Sequence, residues 1–268
     1  MKRIQLFEFE DFNWFPDWTR SSLTKLIVIL HNMMGLGDVV ATLIAKTLKD
    51  QNLSSIVDLG SGAGGPMPEV VNILQEKHFM KGVQLLMTDF YPNPEAIKKF
   101  NTDADSNLSY AEDSIDATTL GSAPEGLKTM VNCFHHMPPD KARKILSSAQ
   151  ENGQSLLIYE MAENKMPLLV WWLLLPLSLV LLFTMTLFMI PFVKPLTWRE
   201  IVFTYIIPII PITYAWDGQA SMPRMYSMND LDELTKDLKT ENYHWEKGYG
   251  MNSKNKKMGT YLLGRLLN

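Results

Sequence analysis

Cysteine is almost absent: Cys133 is the only one in 268 residues. A lone thiol excludes an intramolecular disulfide and fits a reducing compartment. There is no C-x-x-C pair, and His31, His78 and His244 stand apart from one another, so no metal site is expected. Surplus positive charge is lacking as well. Lys and Arg total 25 against 29 Asp and Glu, a formal net charge of -4, which leaves no basic footprint for a nucleic acid. The short run Lys254, Lys256, Lys257 reads as a solvated hairpin turn. An acidic, aromatic segment follows Met1-Lys2-Arg3 where a secretory signal would carry its apolar region. Internal repeats are also missing. The length suffices for one large core, with no need of a second independent domain.

What is present is a glycine loop. Ile56-Val57-Asp58-Leu59-Gly60-Ser61-Gly62-Ala63-Gly64-Gly65 reads as a buried strand, a tight loop and the start of a helix over Met67 to Glu76. Glycine permits positive φ and leaves no Cβ between backbone and ligand, and the helix start offers unpaired N–H groups to an anion. Gly60, Gly62 and Gly65 also satisfy G-x-G-x-x-G, so spacing alone fits a dinucleotide or an S-adenosylmethionine site. Asp58, two residues before the first glycine, tips the balance towards the second. A carboxylate there repels a pyrophosphate but accepts hydrogen bonds from the ammonium of a methionine moiety, whose own carboxylate faces the helix. The next apolar run, Val83 to Thr88, ends in Asp89, where a second parallel strand presents an acid to ribose hydroxyls.

With these motifs the sequence resembles the class I S-adenosylmethionine-dependent methyltransferases over Ser54 to Glu160 and from Tyr226 to the end. The resemblance implies an α/β, Rossmann-like fold: a mostly parallel seven-stranded sheet with an antiparallel last strand. Leu108 to Tyr110 matches the third strand, and Ser114-Ile115-Asp116 follows it, with Asp116 placed near the adenine. Thr129 to Phe134 matches the fourth and runs into His135-His136. Asp140 to Gln150 is the next helix, Ser155 to Tyr159 the fifth strand, and Glu160 sits at its carboxyl end. Tyr243 to Gly248 and Lys257 to Leu263 correspond to antiparallel sixth and seventh strands. The implied cofactor is S-adenosylmethionine, held by Asp58, Gly60, Ser61, Gly62, Gly64, Asp89, Phe90, Ser114, Ile115 and Asp116. The chain divides into helices over 1–50 that cover the cofactor, a core of 51–161 and 226–268, and an apolar insertion over 162–225. Within the first of these, Asp17 to Met34 and Asp38 to Leu48 have helical spacing, and Trp14-Phe15-Pro16 is a candidate gate or an ordinary apolar contact.

The insertion is uncharged over Met166 to Val193 and again over Ile201 to Trp216, although the mean hydropathy of the whole chain is near zero. As a straight helix the first run would measure roughly 42 Å, beyond a hydrocarbon core of about 30 Å. The second would reach only about 24 Å and is interrupted by Pro208 and Pro211. If the last strands are to rejoin the sheet, the number of membrane crossings must be even. A monotopic hairpin dipping into one leaflet on the cytoplasmic face is favoured over a two-helix transmembrane hairpin. A soluble cap or a homodimer interface also fits. Trp171, Trp172, Trp198, Tyr214 and Trp216 flank the runs as interfacial aromatics would. Ser227 with Asp230 has capping-box spacing for the helix that returns the chain to the core.

Methyl transfer from a sulfonium needs alignment and exclusion of water, plus a general base if the acceptor is a hydroxyl. His135, His136 and Glu160 are the candidate catalytic groups. Adjacent residues on a strand face opposite ways, so at most one histidine is expected to meet the substrate. Asp217 and Arg224 are candidate polar contacts at the pocket mouth, or a local ion pair. The expected acceptor is a hydrophobic small molecule or lipid-like compound, oxygen favoured over carbon or nitrogen, reached at a membrane surface. A nicotinamide-dependent reductase and a non-catalytic membrane assembly module that kept the fold are the rivals.

Overall fold

Short buried apolar runs alternate with amphipathic helices along this chain, a pattern that builds a sheet with helices on both faces. The computed structural model describes residues 1, 3–103, 106–238 and 240–267; Lys2 of the opening tripeptide, and Lys239 and Asn268 of the expected core range, lie outside the described residues. After a 3-10 turn (Phe9–Asp11) come α1 (Asp17–Met33), α2 (Leu36–Asp50), β1 (Ser55–Leu59), α3 (Met67–Lys77), β2 (Gln84–Thr88), α4 (Pro94–Phe100) and β3 (Leu108–Tyr110). Then follow β4 (Leu127–Val131), α5 (Pro139–Glu151), β5 (Leu156–Glu160), α6 (Leu168–Met189), α7 (Trp198–Tyr205), α8 (Ile209–Arg224), α9 (Met228–Thr235), β6 (Tyr243–Met251) and β7 (Lys257–Leu266).

The strands form one sheet in the order β3-β2-β1-β4-β5-β7-β6. β1 to β5 are parallel; β7 runs antiparallel to both β5 and β6, so β6 points the same way as the first five and β7 alone is reversed. This is the mostly parallel seven-stranded sheet with an antiparallel last strand that the sequence led us to expect. The order reverses between β1 and β4, which opens a crevice at their carboxyl ends where ligands of open α/β sheets bind.

Strand alternation assigns the two faces. Ile56, Leu85 and Leu157 pack with Val40, Ile44, Val70 and Leu74 of α2 and α3, while Val57, Met130 and Ile158 pack with Ile145, Leu146, Leu231 and Leu234 of α5 and α9. Each such side chain contributes about 1.5–3 kcal/mol on burial. α2 is therefore part of the core. α1 lies elsewhere: Phe15, Leu23 and Leu26 join Met189, Ile190, Val193, Ile210 and Tyr214 in a third cluster that ties the N-terminal segment to the insertion. Phe15 makes an apolar contact there, while Trp14 is exposed.

The insertion folds as a helical hairpin. α6 runs antiparallel along α8, with Ser178 Oγ donating to Gln219 Oε1 at 2.9 Å and Leu182 facing Gly218. The chain bends by 78° between α7 and α8, where Pro208 interrupts the second apolar run. A capping box of Thr197 and Glu200 starts α7, and the buried Glu200 also pairs with Lys25 of α1 at 2.8 Å. Leu168–Phe192 is, among the described residues, the one helical stretch long and apolar enough by itself to cross a membrane. Most of its surface is uncovered: Leu169 is 82% exposed, Leu173 79% and Leu177 60%, and Phe188, Phe192, Trp198, Ile206 and Ile212 extend the same apolar character to the tip.

Candidate functional site

The glycine loop is held from beneath. Gly60, Gly62 and Gly64 take positive φ (72°, 52° and 109°), conformations that side chains disfavour. At Gly64 a Cβ would stand 2.7 Å from Phe100, so this glycine lets α4 close against the loop. At Gly62 a Cβ would meet nothing within 4 Å, and the residue is half-buried with open space beside it. Ser61 pins the loop to β2, since its N–H donates to Thr88 O at 2.9 Å and its Oγ accepts from Thr88 N–H at 3.2 Å.

The structure turns Asp58 inward. Its buried carboxylate accepts from Ser61 Oγ at 2.6 Å and from Thr129 Oγ1 at 2.7 Å, and burial pushes its pKa up to about 6 in spite of these two hydrogen bonds. These two hydrogen bonds make the carboxylate part of what shapes the loop. Asp89 stands at the end of β2 as expected. Its Oδ2 accepts from Gly62 N–H and its Oδ1 from Tyr91 N–H, both at 2.9 Å, while burial raises its pKa. Ser114 Oγ donates to Phe90 O at 2.7 Å and Ile115 N–H to Asp89 O at 3.1 Å, which folds the segment after β3 onto the segment after β2. Phe90 is left half exposed, and Asp116 closes its own turn by accepting from Thr118 N–H and Oγ1. The ten residues thus gather on one edge, and glycines at positive φ, a vacant side at Gly62 and an acid at the second strand fit a nucleoside-bearing ligand there.

Histidines 135 and 136 are not on a strand. β4 ends at Val131, and Asn132 takes a left-handed φ of 56°, anchored by donation from Met161 N–H to its Oδ1 at 2.8 Å. The chain then enters a 3-10 turn over Phe134–His136, so strand alternation does not apply and the two imidazoles lie side by side, 4.3 Å between ring centroids. This overturns the expectation that they face opposite ways.

Their partners distinguish them. Glu160 holds His135 twice: Oε1 accepts the backbone N–H and Oε2 lies 2.9 Å from Nδ1, with both residues buried. A carboxylate only accepts, so Nδ1 carries a proton and the neutral tautomer keeps its lone pair on Nε2. His136 Nδ1 is 3.2 Å from both Glu8 Oε2 and Asp11 Oδ1. Burial disfavours its charge, but Glu8 and the hydrogen bond to Asp11 outweigh that and raise its pKa to about 9. Asp11 is held well below the usual carboxylate range: burial opposes this, and His136 and Arg224 prevail.

Arg224, fully buried, joins the same two acids through Nη1, at 3.0 Å from Glu8 and 2.7 Å from Asp11. Arg3 donates through Nε to Arg224 O at 2.5 Å and through Nη2 to His135 O. Asp217 accepts from the N–H groups of Phe9 and Glu10 at 2.8 and 3.3 Å. Both expected mouth residues therefore clamp the N-terminal segment to α8. Glu8, Asp11 and Arg3 escaped sequence reasoning because they lie more than a hundred residues from their partners and sit in no motif. Ligand atoms of Glu8, His135 and His136 come within 4.8 Å of one another, close enough to hold a metal ion, although Arg224 already neutralises Glu8.

No family model matches this sequence, and no curated protein matches it. Solved structures do. Human N-acetylserotonin methyltransferase in complex with SAM is 13% identical at a TM-score of 0.50, over 93% of this chain and 56% of that one, so this chain spans little more than half of that enzyme's length. The plantazolicin methyltransferase BpumL in complex with SAH is 10% identical at a TM-score of 0.50, over 94% of this chain and 98% of that one. Strand order, the single reversed strand and these likenesses agree: the chain has the Rossmann-like fold of the class I S-adenosylmethionine-dependent methyltransferases.

Proposed function

We propose that this protein transfers a methyl group from S-adenosylmethionine to an oxygen of a hydrophobic small-molecule or lipid-like acceptor at a membrane surface. The observation that carries the reading is the His135–Glu160 pair, buried at the sheet edge that also holds the glycine loop and the root of the apolar hairpin. Bound S-adenosylmethionine would supply an electrophilic methyl on a sulfonium. The loop at Gly60 to Gly64 and Asp89 would hold it, with Asp58 and Ser61 keeping that loop in shape. His135 accepts the acceptor's hydroxyl proton on Nε2, and Glu160 fixes the ring and stabilises the imidazolium that results. His136, charged at neutral pH by its acids, is unsuited to be a base and instead ties the N-terminal segment over the site. The exposed face of α6 supports the membrane part of the reading, because apolar surface on this scale on a soluble protein marks a partner or a bilayer.

The test is transfer of labelled methyl from S-adenosylmethionine into a lipid extract. The natural chain should label a lipid-soluble product, with His135→Ala and Glu160→Gln each reducing the rate by about 10²–10⁴-fold. Undiminished transfer in His135→Ala would reject the base, and no transfer by well-folded natural chain would favour the non-catalytic module.

A further inference from the structure

Two basic segments meet at the root of the apolar hairpin. Lys165 immediately precedes Met166, where the uncharged stretch begins, while Lys254 and Lys256 lie in the β6–β7 turn and Lys257 opens β7 at its end. The two segments are some ninety residues apart but share one ring: Lys165 Nζ lies 4.7 Å and Lys257 Nζ 3.9 Å from the centroid of Tyr249. Because Thr260 pairs with Glu160 and the strand continues back to Lys257, the turn projects past the carboxyl edge of the sheet, the edge from which α6 rises. The turn is well formed: Asn252 Oδ1 accepts from the N–H groups of Lys254 and Lys256, each at 3.0 Å, and Asn255 takes a left-handed φ of 54°. All four lysines are exposed. Lys165 pairs with Glu163 at 2.6 Å, and Lys254, Lys256 and Lys257 form no ion pair with a described residue. The exposed Met166, Leu168 and Leu169 begin directly beside this surplus of positive charge.

From this juxtaposition we infer that the protein binds anionic phospholipid bilayers, with the β6–β7 turn and Lys165 on the acidic headgroups and the exposed face of α6 in the acyl layer. This rests on the membrane reading above and adds the lipid class and the footing. Apolar insertion and basic attraction are the two signals that together make a stable interfacial anchor. Each lysine near an acidic leaflet strengthens binding roughly fivefold, so Lys254, Lys256 and Lys257 together should give roughly a hundredfold. The same footing sets the mouth of the site at the headgroup level, because loop, dyad and turn share one edge.

Flotation of the full chain with vesicles of pure phosphatidylcholine, and with vesicles of roughly 30% phosphatidylglycerol, tests this. The natural chain should bind both, the acidic ones roughly a hundredfold more tightly; Lys254→Gln/Lys256→Gln/Lys257→Gln should bind both at the neutral level. Raising the salt should erase the preference of the natural chain, a readout independent of any variant. Equal affinity for the two vesicles, or an undiminished preference in the triple variant, would overturn the basic footing and leave membrane attachment standing. No binding to either vesicle would overturn both.

Discussion

At the residue scale the two histidines illustrate how neighbours decide chemistry. They are adjacent in sequence and equal in composition, but His135 faces one carboxylate that accepts a hydrogen bond from its Nδ1–H, whereas His136 faces two acids that hold it charged. The raised pKa of His136 has a definite consequence for stability. A folded value of about 9 against an ordinary 6.5 means that its contribution is complete below about pH 6.5 and is lost as pH rises through about 9. His136→Gln should therefore melt below the natural chain at pH 6, with the gap closing towards pH 10; thermal unfolding followed by circular dichroism at several pH values measures it. A constant gap would remove the ion pairs with Glu8 and Asp11 from the account. Gly64 supplies a second residue-scale prediction. Alanine there would need φ near 109° and would press on Phe100, so Gly64→Ala should lose roughly 1–3 kcal/mol and weaken cofactor binding along with it. Urea denaturation reads the first effect and titration the second.

At the scale of elements the structure separates what local pattern specifies from what contact specifies. The strand, glycine loop and helix of Ser55 to Lys77 were legible because buried alternation and positive-φ glycines leave direct marks in a sequence. So was the break at Pro208, and so was the capping box of α9, where Ser227 Oγ and Asp230 satisfy each other's backbone N–H groups. The course of the histidine pair was not legible, because Asn132 ends β4 earlier than the apolar run does. Nor was the position of α2, whose apolar face suits a core helix and a cofactor cover alike. The network of Arg3, Glu8, Asp11, His136 and Arg224 joins three distant segments and leaves no periodic signal in any of them. For α6, the exposed positions give a prediction. Leu173→Glu/Leu177→Glu should leave the fold intact, since neither side chain is covered, while each charge costs about 2.5–3.5 kcal/mol if the helix centre enters lipid. Unchanged circular dichroism with loss of vesicle flotation is the expected pair of results. Loss of fold would place those leucines in a packed interface instead.

At the scale of the whole molecule, a standard α/β sheet carries its reactive groups, its apolar hairpin and its basic turn on one edge. The N-terminal segment crosses that edge and is fastened to α8, so the insertion and the site are mechanically one unit: movement of α8 shifts Arg224, and with it Glu8, Asp11 and His136. Such an arrangement suits the proposed reaction, with a substrate that arrives from the bilayer and a cofactor that arrives from water. Its central claim is the identity of that cofactor. Calorimetric titration of detergent-purified protein with S-adenosylmethionine, S-adenosylhomocysteine, NADH and NADPH, with Asp89→Ala as the comparison, tests it most directly. The account predicts saturable binding of the first two, weakened by the substitution, and none of the nicotinamide nucleotides; binding of a nicotinamide nucleotide alone, or of none of the four by well-folded protein, would contradict it.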